Sequence, residues 1–112
     1  MEKKYIKNIA FGEALALEAL VEYQEGRVVS LTLVQNDAMS MTLFAFAKGE
    51  AISTHSSPGD AFVYIIDGKA SITIGEKTID AEAGQTVVMP SNVPHGIDAT
   101  ENFKMMLIVS FK

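Results

Sequence analysis

Apolar residues recur at every second position over most of this chain, in short runs broken by glycine, proline and Asx-rich turns. That period belongs to strands, whose successive side chains point to opposite faces. The runs are Arg27 to Val34, Ser40 to Ala47, Ala51 to His55, Ala61 to Ile66, Lys69 to Ile74, Lys77 to Ala81, Gly84 to Met89, His95 to Ala99 and Phe103 to Phe111. Gln35-Asn36-Asp37, Lys48-Gly49-Glu50 and Ser57-Pro58-Gly59-Asp60 separate them with turn chemistry, in which proline presets one φ and glycine accepts a positive one. Asp67-Gly68 is the strongest hairpin signal and predicts a three-stranded meander from Ala61 to Ala81. Pro90 and Pro94 keep the stretch before His95 out of any central strand. Many short strands at this spacing predict an all-β sandwich or barrel. Ser40 to Ala47 is apolar on both faces, which favours a sheet closed on itself. The last strand puts Phe103, Met105, Leu107, Val109 and Phe111 on one face. If Ala61, Val63 and Ile65 face the interior, then Phe62, Tyr64 and Ile66 are left for a second layer or a partner chain.

The first 26 residues form an extension to a barrel domain over residues 27–112. Ala14, Leu17, Leu20 and Val21 fall at helical spacing among Glu13, Glu18 and Glu22, which fits a short amphipathic helix within 13–22; Leu15 and Leu17 also alternate as a strand would. Glu13 and Glu18 interrupt the apolar run, no small-residue cleavage site follows, and no stretch reaches the roughly 18–20 apolar residues of a membrane span. The expectation is a soluble, cytoplasmic protein with no membrane partner. Its 112 residues are enough for one core without staples. The absence of cysteine removes disulfides, thiolate metal sites and thiol nucleophiles, and fits a reducing compartment. The net charge is -5, and among nine scattered bases only Lys3, Lys4 and Lys7 cluster. With no basic face, nucleic acid is not an expected partner.

The chemistry-bearing residues are the two histidines, and they sit in matching settings. His55 lies in Gly49 to Gly68, KGEAISTHSSPGDAFVYIIDG read from Lys48. His95 follows Gly84, Pro90 and Pro94. Gly49, His55 and Gly68 fit the pattern G-x5-H-x-H-x3-E-x6-G. Gly84, Pro90 and His95 fit G-x5-P-x-G-x2-H-x3-N. On these residues the chain resembles the cupin superfamily, small jelly-roll β-barrels, from about Ser40 to the end. The resemblance implies a cupin-like barrel with a short N-terminal helix, a site inside it, and a homodimer.

The resemblance also implies a metal held by three histidines and a glutamate, and here the chain departs from it. His55 and His95 stand at two histidine positions, but Ser57 replaces the other and Ala61 replaces the glutamate. Asn92 stands at the second motif's glycine and Ala99 at its asparagine. Serine is a poor neutral ligand and alanine none, so a divalent ion (iron, manganese, nickel or zinc) on His55 and His95 would be weakly held. Asp60 is the nearest carboxylate in sequence; it is an ordinary turn residue unless its turn carries it inward. Asp98, three residues from His95, faces the other way in an extended strand. The expected pocket holds His55, His95 and Ser57 against an apolar wall that includes Met89 and Phe44, with either histidine a candidate general base. Methionines and phenylalanines in such positions also serve as plain core. The favoured function is binding of a small molecule. The alternatives are a metal-dependent oxygenase or isomerase, and a non-catalytic regulatory or structural dimer.

Overall fold

Eight strands carry the architecture: β1 (Val28–Gln35), β2 (Met39–Phe46), β3 (Ala51–His55), β4 (Asp60–Ile74), β5 (Lys77–Glu82), β6 (Thr86–Met89), β7 (His95–Asp98) and β8 (Phe103–Ser110). They come from a computed structural model that describes residues 3–112, so Met1 and Glu2 of the N-terminal extension lie outside the described residues. All pairings are antiparallel. One layer runs β1-β2-β8-β4-β6 and the other β5-β4-β7-β3, with β4 common to both. The result is the closed all-β fold that the alternating pattern predicts, in the jelly-roll form that the resemblance implies.

The shared strand corrects the expected hairpin. Asp67-Gly68 does not reverse the chain; β4 runs straight through it for 15 residues. Its first half, Asp60 to Gly68, pairs with β8, and its second half, Lys69 to Ile74, pairs with β5. The register to β8 slips between Ile65 and Asp67, and Gly68 has φ +73°. A glycine in a strand marks a bulge or bend as readily as a turn, and here it lets one strand cross from one layer to the other. A side chain at Gly68 would run into the Asn102 carbonyl oxygen. Of the two reversals that the meander needs, only the one at Gly75-Glu76 occurs, with Gly75 at φ +59°. The predicted three-stranded meander is therefore a two-stranded hairpin, β4 and β5.

The barrel interior is filled from both layers by Phe46, Val63, Ile65, Ile72, Phe103 and Met105, each fully buried. Phe46 and Phe103 stack with centroids 4.5 Å apart. The predicted inward set Ala61, Val63 and Ile65 is buried, while Phe62 and Tyr64 face outward and stay exposed. The outward face of β1, β2 and β8 is also apolar. A second cluster of Leu33, Val34, Leu43 and Ala45 forms there beneath Val21.

Residues of the extension make that cover, without the predicted helix. Only a single 3-10 turn, Leu17–Leu20, forms, with Ala16 extended before it and no side-chain cap. So short a turn leaves its backbone mostly unpaired, and side-chain packing on the sheet decides the path. Tyr23 donates its hydroxyl hydrogen to Asp67 Oδ2 at 2.5 Å. Lys104 Nζ donates to the Glu18 carbonyl at 2.6 Å and lies 4.9 Å from the Tyr23 ring centre. The bend in β4 thus supplies the carboxylate that holds the extension down. Partial burial, and then the Asp67 carboxylate, push the Tyr23 phenol pKa well above its ordinary value.

Candidate functional site

His95 opens β7, and its register partners are Ile74 of β4 on one side and His55 of β3 on the other. Ile52 of β3 and Ile72 of β4 pair with Ile97 in the same way one row further in. Both rows belong to the inner face. Ile52 and His55 are three residues apart, so a regular strand would send them to opposite faces. The register of β3 against β7 slips between them. That irregularity turns His55 back to the side occupied by Ile52 and His95, the re-aiming that bulges perform. The two imidazoles meet edge to face, with centroids 4.6 Å apart.

Each ring is fixed by its own strand. His55 Nδ1 lies 3.0 Å from the Ser53 carbonyl oxygen, and His95 Nδ1 lies 3.1 Å from that of Val93. A carbonyl oxygen only accepts, so Nδ1 carries the proton in both rings. In the neutral ring the remaining nitrogen, Nε2, then holds a free lone pair. His95 is 4% exposed, whereas His55 is exposed at the mouth.

Between them lies a cavity of about 120 Å³. His55, Ser57, Met89 and His95 line it, together with apolar side chains from four strands. Phe44 does not: it faces the interior but packs on the main core, 5.9 Å from the Phe46 ring centre. The register explains this, because Phe44 pairs with Met105, well inside the cavity-lining Leu107 and Val109 of β8. Leu107 and Val109 were legible as one apolar face of the last strand. The place of Ile52 was not, since it depends on the slip in β3.

The flanking loops are tied to each other. Asn92 N donates to the Ser57 carbonyl at 2.7 Å, and Ser91 N donates to Asp60 Oδ1 at 2.8 Å. Asp60 therefore braces the loop before His95 and does not line the cavity. Ser57 Oγ accepts from Gly59 N at 3.2 Å, a local turn bond. Asn92, at the motif's glycine position, has φ +62°. Asparagine tolerates that left-handed conformation better than other non-glycine residues, so the loop path survives the departure. Ala99, at the motif's asparagine position, is 4% exposed, and its backbone pairs with Gly49 and Glu50.

A barrel of this topology, with both histidines on its inner wall behind Gly49 and Gly84, defines a cupin. A profile of the cupin domain family matches residues 42–111, and the chain belongs to that family. It is similar to a conserved protein of unknown function from Streptococcus pyogenes, 42% identical, with 98% of this chain and 96% of that one covered and a TM-score of 0.96. A cupin superfamily protein from Desulfitobacterium hafniense DCB-2 is 33% identical, with 96% and 98% covered and a TM-score of 0.91. A cupin 2 conserved barrel domain protein from Leptotrichia buccalis is 43% identical, with 84% of this chain and 46% of that one covered and a TM-score of 0.82.

The donor set does not fit the three-histidine, one-glutamate centre. Ala61 is 2% exposed, lies on the cavity wall and offers no ligand atom. Among the described residues, no group of three His, Cys, Asp or Glu side chains is placed to hold a metal ion. Also among the described residues, no helix is long and apolar enough to cross a membrane.

Proposed function

We propose that the barrel binds a small, largely apolar molecule that carries a hydrogen-bond donor, held by the Nε2 atoms of His55 and His95. One observation carries this reading: both Nδ1 atoms are committed to backbone carbonyls, which leaves two acceptors beside a cavity whose remaining lining, Ser57 apart, is apolar. Neutral imidazoles so fixed suit a hydroxyl or amine and disfavour a carboxylate, which would need Nε2 protonated first. A few well-placed polar groups in an apolar pocket are what small-ligand sites have in common. The size of the cavity restricts the occupant to a few heavy atoms. With Ala61 and Ser57 in place of two ligands, the oxygenase and isomerase readings lack the donor set they require.

The test is long-range ¹H–¹⁵N NMR of the imidazoles in the full chain, titrated with propan-1-ol, propane-1,2-diol and butylamine. The expected result is Nδ1-protonated rings in both histidines, with Nε2 shifts that saturate for at least one probe and vanish in His95→Ala. Rings protonated at Nε2 in the free protein would sink the proposal.

A second reading, that the protein works as a homodimer, is favoured by Phe62, Tyr64 and Val88. These are 42%, 40% and 53% exposed and adjacent on the outer face of β4 and β6. Adjacent exposed aromatic and aliphatic side chains are the usual composition of a protein interface core. Light scattering at micromolar concentration distinguishes dimer from monomer, and Phe62→Lys should shift a dimer toward monomer.

A further inference from the structure

We infer that the outer face of the barrel carries a second, separate site, for a single unbranched chain that ends in a carboxylate. Its place is a cavity of about 360 Å³ between the N-terminal extension and the outer face of β1, β2 and β8. That is about three times the volume beside the histidines, and it falls within the roughly 300–1,000 Å³ of small-ligand pockets. Leu33 of β1, Met41 of β2 and Met106 of β8 form its floor, and Ile6, Phe11 and Leu17 of the extension wall it in. Every side chain that lines it is apolar. The extension is pinned over this floor at β1. Lys7 N donates to the Leu33 carbonyl at 2.8 Å, and Asn8 Nδ2 donates to the Thr32 carbonyl at 2.8 Å. Both carbonyls lie where the register of β1 against β2 slips, and a bulge leaves its extra residue outside the ladder.

Shape and charge point the same way. The floor crosses three neighbouring strands, so at the usual strand spacing it runs about 10 Å, a length that about eight extended carbons span. Its two methionines, unbranched and polarizable, adapt to a chain of that kind. The rim supplies the charge. Lys3, Lys4 and Lys7 fall within residues 3–12, which hold no acid, whereas the other six bases of the chain stand against fourteen acids. All three lysines are exposed. Lys4 Nζ lies 5.1 Å from the ring centre of the cavity-lining Phe11, and Lys3 Nζ lies 5.4 Å from that of Tyr5. In a chain of net charge -5, this rim draws in an anion that the rest of the surface repels. A bilayer would meet the outside of the extension, whereas a single chain fits beneath it. The histidine cavity does not compete for this ligand, because its Nε2 acceptors disfavour a carboxylate.

The experiment is ¹H–¹³C NMR of the full chain labelled at its methionine methyl groups, titrated with hexanoate, octanoate, octan-1-ol and octylamine. The expected result is saturable shifts of Met41 and Met106 with octanoate, while Met89 inside the barrel stays in place. Octanoate should bind about 10- to 15-fold more tightly than hexanoate, the effect of burying two more methylenes. Octylamine should bind at least about 10-fold more weakly than octanoate. Lys3→Glu combined with Lys4→Glu and Lys7→Glu, all on exposed side chains, should weaken octanoate at least about 10-fold and leave octan-1-ol within about twofold. Retained octan-1-ol binding shows that the variant is folded. Shifts at Met89 in place of Met41 and Met106, octylamine binding as tightly as octanoate, or undiminished octanoate affinity in the triple variant would each overturn the inference. Met41 and Met106 signals that move with protein concentration and not with octanoate would also overturn it, and would give the cavity to a second copy. Co-sedimentation with phosphatidylglycerol vesicles and no response to octanoate would overturn it in favour of a membrane surface. The histidine cavity is read at its imidazole nitrogens, so either site can fail while the other stands.

Discussion

His55 and His95 are register partners across β3 and β7, and their rings meet at 65° with centroids 4.6 Å apart. Their proximity therefore comes from the backbone ladder and does not await a ligand. The two rings are nonetheless unequal, since one is exposed and the other 4% exposed. His55 therefore stands at the mouth of the cavity and His95 deeper in its wall.

Restoring the motif should restore a divalent centre. Ala61 and Ser57 both line the cavity, so Ala61→Glu with Ser57→His adds two ligands, one of them anionic, to the existing pair. Affinity for zinc(II) or manganese(II) should rise by at least about 10- to 100-fold, the scale that even a supporting residue of a metal site carries. Titration calorimetry on the folded double variant measures it. No gain over the parent would show that ligand loss is not what weakens divalent binding.

Gly68→Ala should be among the costliest single substitutions in the barrel. It forces an alanine to φ +73° and drives its Cβ into the Asn102 carbonyl. The left-handed backbone and the clash together should remove about 2–4 kcal/mol of stability. Gly26→Ala, with a similar φ of +72° but open space around it, should cost only the backbone part of that. Urea denaturation of the two variants separates strain from collision, and equal losses would refute the collision.

Tyr23 should make the protein sensitive to alkali. Its folded-state pKa lies above the unfolded value, so the stability it contributes is complete below about pH 10 and is lost as pH rises toward the folded value. Tyr23→Phe should cost about 1 kcal/mol at neutral pH through loss of the bond to Asp67. Thermal melts from pH 7 to pH 11 should converge for wild type and variant at the alkaline end. Parallel curves across that range would assign the alkaline loss to other groups.

Removing residues 1–22 should uncover the outer cluster. Val21 is 3% exposed and lies over Leu33, Val34, Leu43 and Ala45. The truncated chain should bind a fluorescent apolar dye and aggregate at concentrations where the full chain stays dispersed. An unchanged dimer after truncation would place any dimer interface elsewhere, with Phe62, Tyr64 and Val88 the remaining surface.

The strands and the two histidine motifs were legible because both are written locally, in period-two alternation and in glycines that need positive φ. Four features were not. Asp67-Gly68 has hairpin chemistry, but whether a glycine reverses a strand or bends it depends on which partners lie beyond it. The place of Ile52 on the same wall as His55 rests on a slip between the two, which only pairing with β7 reveals. Residues 13–22 carry helical spacing, yet a sheet face that needed covering set their path, since an isolated segment of that length has little helical stability of its own. Phe44 was expected on the apolar wall as a large side chain of a buried strand; its depth along that strand is set by the register to β8.

β3 has β7 as its one strand neighbour among the described residues, whereas β7 is held by β3 on one side and β4 on the other. Opening the edge of the barrel therefore breaks a single short ladder and carries His55 outward, while His95 keeps its place on β4. Such a local excursion costs far less than global unfolding. Backbone amides of β3 should accordingly exchange with deuterated solvent well ahead of those β7 shares with β4. An occupant spanning both histidines should slow β3 most, so that the edge strand alone reports whether the barrel is filled.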